Sequence, residues 1–454
     1  MDRDPCLFFE TALLPEGWRE GVRLELRGGR IARITAGAQP RAGDEIGGIG
    51  LPGLANLHSH GFQRGLAGMA EFRGGTDSFW TWRDAMYRFV TTISPEDVEA
   101  ISALAFAEML EGGFTHVGEF HYLHNDLEGR RYANRAEMAE RVAAAATISG
   151  IGLTLLPVFY ERGGFDGRAP NPAQRRFCLD IEGFQRLFSQ CGDIVHGSAG
   201  AVLGVAPHSL RAVSPDSLAA LAPLMTDRPV HIHVAEQRQE VADCEQVLKA
   251  RPVQWLLDNQ AIDSRWCFIH ATHANGAEIA RLAASGAVAG LCPISEANLG
   301  DGFFALPEFL AGGGSFGIGT DANLRLSMIE ELRTLEYGQR LVKEARNVVS
   351  GRQSPSTGRT LFEMALQGGA QALRASNGFA EGELADIVEL DGKSEILAGR
   401  RGDLLLDSLI FAGSNTLIRT VWRGGRMLVR HGRHIHKEEI VSRYRKSLAR
   451  LISP

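Results

Sequence analysis

Two histidines one residue apart, Leu57-His58-Ser59-His60, close an apolar run in this 454-residue chain. In an extended strand, residues i and i+2 point to one face, so the two imidazoles can grip a single ion. His231-Ile232-His233 repeats the spacing, and Asp321 ends the run Gly319-Thr320-Asp321. Three imidazole nitrogens and one carboxylate suit Zn²⁺, with a position left for water. Fe²⁺, Mn²⁺ and Ni²⁺ accept the same donors, because such sites discriminate weakly. A lone His-x-His is equally well read as a hydrogen-bonded pair. The ordered set His58, His60, His233 and Asp321 favours one divalent metal ion. His231 either faces the other way or sits lower and hydrogen-bonds a neighbour.

Other ionisable residues end apolar runs in the same manner: Glu119 and His121, Tyr160, His208, Glu236, and His270 with His273. Core packing does not explain such a set. Three further segments carry polar or cationic groups: Gly61-Phe62-Gln63-Arg64, Ser78-Phe-Trp-Thr-Trp-Arg83, and Ala206-Pro-His208-Ser-Leu-Arg211. Tyr122 lies just past Glu119-Phe-His. Arg83 and Arg211 can each hold a carboxylate bidentately. Arg64 competes for that task. Arg83 also fits a solvated helix position, and Tyr122 also fits simple packing against Phe120.

The elements that must position these residues are short and regular. Eight apolar runs read as buried parallel strands: 54–60, 115–122, 153–160, 201–208, 229–236, 266–270, 287–293 and 315–321. Helical segments alternate with them, among them Pro95–Glu111, Glu137–Ser149, Pro215–Leu224 and Gln239–Asn259. This rhythm predicts a (β/α)8 barrel with insertions, whose active site forms at the C-terminal ends of the strands. Val22–Ile34 and Thr420–Arg430 each alternate apolar residues around Gly-Gly, the mark of a β-hairpin. Neither hairpin is stable alone. The expected α/β architecture is therefore a barrel over 51–375 and one small β-sandwich built from 1–50 and 376–454.

Composition narrows the functional classes. Lys and Arg number 48 against 54 Asp and Glu, for a net charge of −6, so no basic face points to nucleic acid. Hydrophobic residues make up 44% and charged residues 22%, ordinary for a soluble globular protein. The six Cys are scattered with no C-x-x-C pair. No signal-peptide pattern opens the chain, and no uncharged run is long enough to span a membrane. A reduced, cytoplasmic protein is expected. An anionic substrate would need the local positive charge of the arginine-bearing segments. Only five Lys occur, at 249, 343, 393, 437 and 446.

With these residues in place, the chain resembles the amidohydrolase superfamily over nearly its whole length. Leu51-Pro-Gly-Leu-Ala-Asn-Leu-His-Ser-His60 is close to that superfamily's first-strand signature. The resemblance implies a metal-dependent barrel flanked by a β-sandwich. Binuclear members use a carboxylated Lys on strand four, and this chain has no Lys before 249, so a mononuclear, deaminase-like site is implied. It implies proton shuttling by Glu236 and contact of His270 with the developing tetrahedral centre, with His273 the competing choice. Asp321 would bind the metal and accept the proton of the attacking water. Within the superfamily, the segments ending at Trp18, Arg83, Arg211 and Gln237 are similar to the formimidoylglutamate deiminase family. That likeness implies a small anionic substrate, N-formimino-L-glutamate of histidine degradation, bound by Gln63, Arg83, Tyr122, His208 and Arg211. It also implies a Zn²⁺ homodimer.

Two other readings compete. An aminohydrolase of a cyclic amidine such as guanine would want an aromatic slot with amides rather than two arginines. A non-catalytic metal-binding barrel would be expected to have lost an acid–base residue, whereas Glu236, His270 and Asp321 are all present. Segments 72–75 and 300–303 are expected to be mobile.

Overall fold

The computed structural model describes residues 5–71, 78–351 and 354–452. Segment 72–75, expected to be mobile, lies outside them. Four strands come first: β1 (Cys6–Leu14), β2 (Gly17–Arg27), β3 (Arg30–Thr35) and β4 (Glu45–Pro52). The barrel strands follow: β5 (Leu54–Ser59), β6 (Phe114–His121), β7 (Gly152–Phe159), β8 (Val202–Leu203), β9 (Ala206–Pro207), β10 (Val230–Val234), β11 (Trp266–His270), β12 (Val288–Leu291) and β13 (Ser315–Ile318). The chain ends with β14 (Ile387–Leu390), β15 (Ile418–Arg423), β16 (Arg426–Arg430), β17 (Arg433–His434) and the helix Lys437–Leu451.

Strands from both ends of the chain share one eight-stranded sheet, in the order β17-β16-β15-β14-β4-β1-β2-β3. The two Gly-Gly turns meet each other there. Gly29 and Gly424 both have positive φ, and a Cβ on Gly29 would lie 2.7 Å from the Gly424 carbonyl oxygen. Any side chain would force the hairpins apart.

The strands β5-β6-β7-β8, with β9 also on β7, form one parallel set, and β10-β11-β12-β13 another. Parallel bridges Val205–Val230 and Ser59–Asp321 join the two sets at both seams. The ring is thereby closed. The fourth strand is split at Gly204, between β8 and β9. Inside the ring, Leu57 occupies space that facing strands leave open as glycine. A Cβ on Gly290 would meet Leu57 Cδ1 at 2.9 Å, and one on Gly317 would collide with Leu57 Cδ2. Leu57 directly precedes the first histidine of the site.

Helix Pro95–Glu111 forms where the sequence predicts it. Pro95 occupies the first turn, and Ser94 and Asp97 exchange capping hydrogen bonds. Helix Glu137–Ser149 also matches, ending on Gly150 at φ +77°. The segment 239–259, expected as one helix, is two: Arg238–Leu248 and Pro252–Asn259. Lys249 turns left-handed and Pro252 cannot continue the hydrogen-bond ladder. Likewise 215–224 is a helix Pro215–Ala220 followed by the 3₁₀ turn Ala222–Met225, with Pro223 as the breaker. All six cysteines are free. Among the described residues, no helix is long and apolar enough to cross a membrane.

Candidate active site

His58, His60, His233 and Asp321 come together at the C-terminal ends of β5, β10 and β13, each offering one ligand atom within 4.8 Å of the others. Asp321 Oδ1 lies 3.3 Å from His58 Nε2 and 3.2 Å from His60 Nε2. The backbone holds this in place. The Asp321 N–H donates to the His58 carbonyl and the His60 N–H to the Asp321 carbonyl, both at 3.0 Å. Asp321 itself adopts φ +44°, a left-handed conformation uncommon outside glycine.

The ring nitrogens are assigned by what surrounds them. His60 Nδ1 is 2.9 Å from the Phe120 carbonyl, and His233 Nδ1 is 3.1 Å from the His208 carbonyl. A carbonyl only accepts, so each Nδ1 carries the proton and each Nε2 presents a lone pair. His233 Nε2 then faces His58 Nε2 at 3.1 Å. His58 Nδ1 is buried without a partner. Burial holds His58 down at about 3 and His233 well below its ordinary range, so both rings are neutral. Burial would raise Asp321, but the adjacent His58 and His60 rings outweigh it and hold the carboxyl well below its ordinary range. Neutral imidazoles with converging lone pairs beside a carboxylate are the donor set of a divalent cation. The residues present fit such an ion.

His231, the undecided residue of its pair, points away and lies 3.0 Å from the Ala372 carbonyl. His121 is also outside the cluster, edge-on to His124 at 5.5 Å. Glu119 accepts the Gly61 N–H at 2.6 Å, and burial pushes it up to about 7.

Glu236 follows β10 and is buried. Its loop is held by Glu240, which accepts the N–H groups of Ala235 at 3.1 Å and Glu236 at 3.0 Å. Burial raises Glu236 to about 7, with His270 and Arg211 opposing and Asp321 adding to the rise. His270 closes β11 and stacks on His233, ring centroids 5.6 Å apart. Burial alone would lower it, but Glu236, Glu296 and Asp321 raise it to about 10. Of the two choices on this strand, His270 lines the pocket and His273 does not.

That pocket lies over the cluster and is also lined by Gln63, Arg83, Tyr122, His208 and Arg211. Gln63 Nε2 donates to Tyr122 Oη at 2.6 Å, and Gln63 Oε1 is buried and unpartnered. Arg83, on the helix Phe79–Val90, has its guanidinium 4.4 Å from the Trp80 ring centroid, and Arg211 has its own 5.8 Å away. Among the described residues neither arginine is in an ion pair. Arg83 Nε and Arg211 Nε and Nη1 are buried with no hydrogen-bond partner. Arg64, the competing clamp, is instead paired with Glu108 at 2.7 Å. Tyr122 packs against His60 and Phe177 at 4.9 Å each.

Sequence reasoning missed Glu296, whose Oε1 lies 3.2 Å from His270 Nδ1. It also missed Trp80 and Tyr87, aromatic neighbours of Arg83 at 4.4 and 5.4 Å. The signal for Glu296 was a lone acid in the apolar stretch after the seventh run, Leu-Cys-Pro-Ile-Ser-Glu296.

Known proteins match the chain over nearly its whole length. The Amidohydrolase family matches residues 49–428, and the family described as Formimidoylglutamate deiminase HutF, N-terminal domain, matches residues 6–48. The chain is 49% identical over 451 residues to formimidoylglutamate deiminase of Pseudomonas aeruginosa, covering 98% of this chain and 99% of that one. A crystal structure of an amidohydrolase from Brucella melitensis superposes with a TM-score of 0.95 at 50% identity, covering 99% of this chain and 100% of that one. A zinc-bound adenosine deaminase from Xanthomonas campestris shares the fold, with a TM-score of 0.81 at 22% identity, covering 99% and 98%.

Proposed function

The chain belongs to the amidohydrolase family, and from that premise we propose that it hydrolyses N-formimino-L-glutamate to N-formyl-L-glutamate and ammonia, a step of histidine degradation. It is a metal-dependent hydrolase acting on a C–N bond of a small molecule. The observation that carries the substrate is the pair of guanidiniums, Arg83 and Arg211, without acidic partners above the His–Asp cluster. Two unpaired cations in a half-buried pocket favour a substrate with two carboxylates. A neutral purine would give neither guanidinium a carboxylate to bind.

His58, His60, His233 and Asp321 would hold one ion, which we assign as Zn²⁺ from its three nitrogen donors and one oxygen. When bound, the ion supplies a nucleophilic water at neutral pH. Every other task falls to side chains. Arg83 and Arg211 bind the substrate carboxylates through their planar forks. Gln63, Tyr122 and His208 line the space between them and the cluster and orient the formimino group. Asp321 takes a proton from the attacking water. Glu236, raised to about 7, carries a proton to the imino nitrogen, a role suited to a carboxyl poised near neutrality. His270 places positive charge beside the tetrahedral carbon. Water adds its oxygen to the formimino carbon while the proton from Glu236 makes the imino nitrogen an amino group. The C–NH₂ bond then breaks as the proton held by Asp321 completes ammonia and the adduct's hydroxyl proton returns to Glu236, leaving the formyl C=O.

The same reading makes 51–375 the catalytic unit and 1–50 with 376–454 the flanking β domain. It also makes the protein a cytoplasmic homodimer. Sedimentation of the purified protein tests the subunit number.

The decisive experiment is ammonia release by Zn-loaded protein from N-formimino-L-glutamate, with guanine in parallel. Release from the formimino compound alone is expected. Release from guanine alone, or from neither, would leave the amidohydrolase architecture standing and overturn the assignment of the two arginines.

A further inference from the structure

The seventh barrel strand, β12, contributes no candidate ligand and no candidate substrate contact. The segment after it nevertheless carries a buried carboxylate against one of the proposed reacting groups. Glu296 sits on the helix Pro293–Leu299, with Oε1 3.2 Å from His270 Nδ1. The same oxygen accepts the Cys292 N–H at 3.0 Å. Both side chains are almost fully buried.

His270 needs such a hold. It and Ala271 adopt φ +68° and +48°, so the chain leaves β11 through two consecutive left-handed residues. Such conformations persist only where surroundings over-determine them. The segment that carries the carboxylate is itself anchored through its backbone. The Asp301 N–H donates to the Glu296 carbonyl at 2.9 Å, and the Asp301 side chain accepts a hydrogen bond from Gln237, the neighbour of Glu236. One short segment thus ties together the two loops that carry Glu236 and His270.

We infer that Glu296 is a positioning residue: its carboxylate accepts the Nδ1–H of His270 and so fixes the orientation of the ring, leaving the Nε2–H as the group offered to the reacting centre. This rests on the proposed deimination, in which His270 takes part. A carboxylate bonded to one ring N–H dictates which way the ring turns. Misplacement of a reacting group by about 1 Å can cost on the order of 100-fold in rate.

The test uses Glu296→Ala, Glu296→Gln, His270→Asn and the His270→Asn/Glu296→Ala double variant, all metal-loaded, with metal content checked. Glu296→Ala is expected to lower kcat about 100-fold with KM within about threefold. Glu296→Gln, which keeps an acceptor oxygen and the volume, should lose less than about tenfold. In the His270→Asn background, Glu296→Ala should cost nothing more, because the residue acts only through the ring. A ¹⁵N-histidine spectrum should show a hydrogen-bonded Nδ1–H in wild type and Glu296→Gln, and its loss in Glu296→Ala.

Additive losses in the double variant, or an unchanged Nδ1–H signal in Glu296→Ala, would overturn the proposal. If Glu296→Ala does not fold, Glu296→Gln decides alone: a kcat loss as large as that of His270→Asn overturns it. Wild-type kcat in His270→Asn would instead sink the role of His270, and that of Glu296 with it. An inactive His270→Asn beside a fully active Glu296→Ala sinks Glu296 alone.

Discussion

His233 Nε2 faces His58 Nε2 at 3.1 Å, while His233 Nδ1 is committed to the His208 carbonyl at 3.1 Å. Two lone pairs held that close need a cation between them, or a proton on one ring. Metal removal is therefore expected to destabilise the protein as well as inactivate it. Chelation should abolish ammonia release and lower Tm by several degrees, both restored by Zn²⁺, since a ligand of the folded state stabilises it by mass action. Elemental analysis should find one ion per chain. Two per chain would contradict the mononuclear reading.

Glu236→Gln keeps the shape of the side chain and removes its proton-carrying capacity. A reduction of kcat by about 10²–10⁴ is expected, with metal content unchanged. Retention of most activity would rule out the proton-shuttle role.

Arg211→Ala and Arg83→Ala each remove one fork. A charge-assisted hydrogen bond contributes about 1.5–3 kcal/mol, so kcat/KM should fall roughly 10- to 100-fold, mainly through KM. Arg→Lys should recover only part, because the fork is lost though the charge remains. Kinetics with N-formimino-L-aspartate in parallel would show whether the arginine spacing selects chain length. Unchanged KM in both alanine variants would remove the arginines from substrate binding.

Asp386, just before β14 and outside the lining of the candidate pocket, gives a separate pH dependence. It is buried, accepts the Gly424 N–H at 2.7 Å, and burial raises it to about 6 from an ordinary value of 3.8. A carboxyl that binds its proton more tightly folded than unfolded stabilises the fold at low pH. That contribution is complete below about pH 4 and lost as pH rises through about 6. Asp386→Asn keeps the acceptor and abolishes the titration. Denaturant unfolding of both proteins between pH 4 and 7 should show wild type losing stability relative to the variant by an amount on the order of 2–3 kcal/mol. A constant difference would disprove it.

Gly290→Ala should cost about 1–3 kcal/mol, the range for overpacking a filled core. Its φ is not left-handed, so the cost comes from space: the new methyl would meet Ile269 Cδ1 at 2.6 Å and both Cys267 Sγ and Leu57 Cδ1 at 2.9 Å. Leu57 precedes His58, so metal affinity should weaken in the same variant. Unchanged unfolding midpoints would mean the barrel interior has slack there.

The His–Asp cluster, the strand order and the hairpins at both ends were legible in the sequence because each is written in local spacing. Alternation by two puts His58 and His60 on one face, Gly-Gly between alternating runs marks the turns, and Ser94-Pro95 with Asp97 starts its helix. Only the folded chain decided what depends on distant segments meeting. It turned His231 toward the Ala372 carbonyl, spent Arg64 on Glu108, and left Arg83 and Arg211 unpaired over Trp80. It also brought Glu296 to His270. Spacing along the chain carries periodicity, but the partner of a buried charge is set by which strands close the barrel, and no local pattern encodes that.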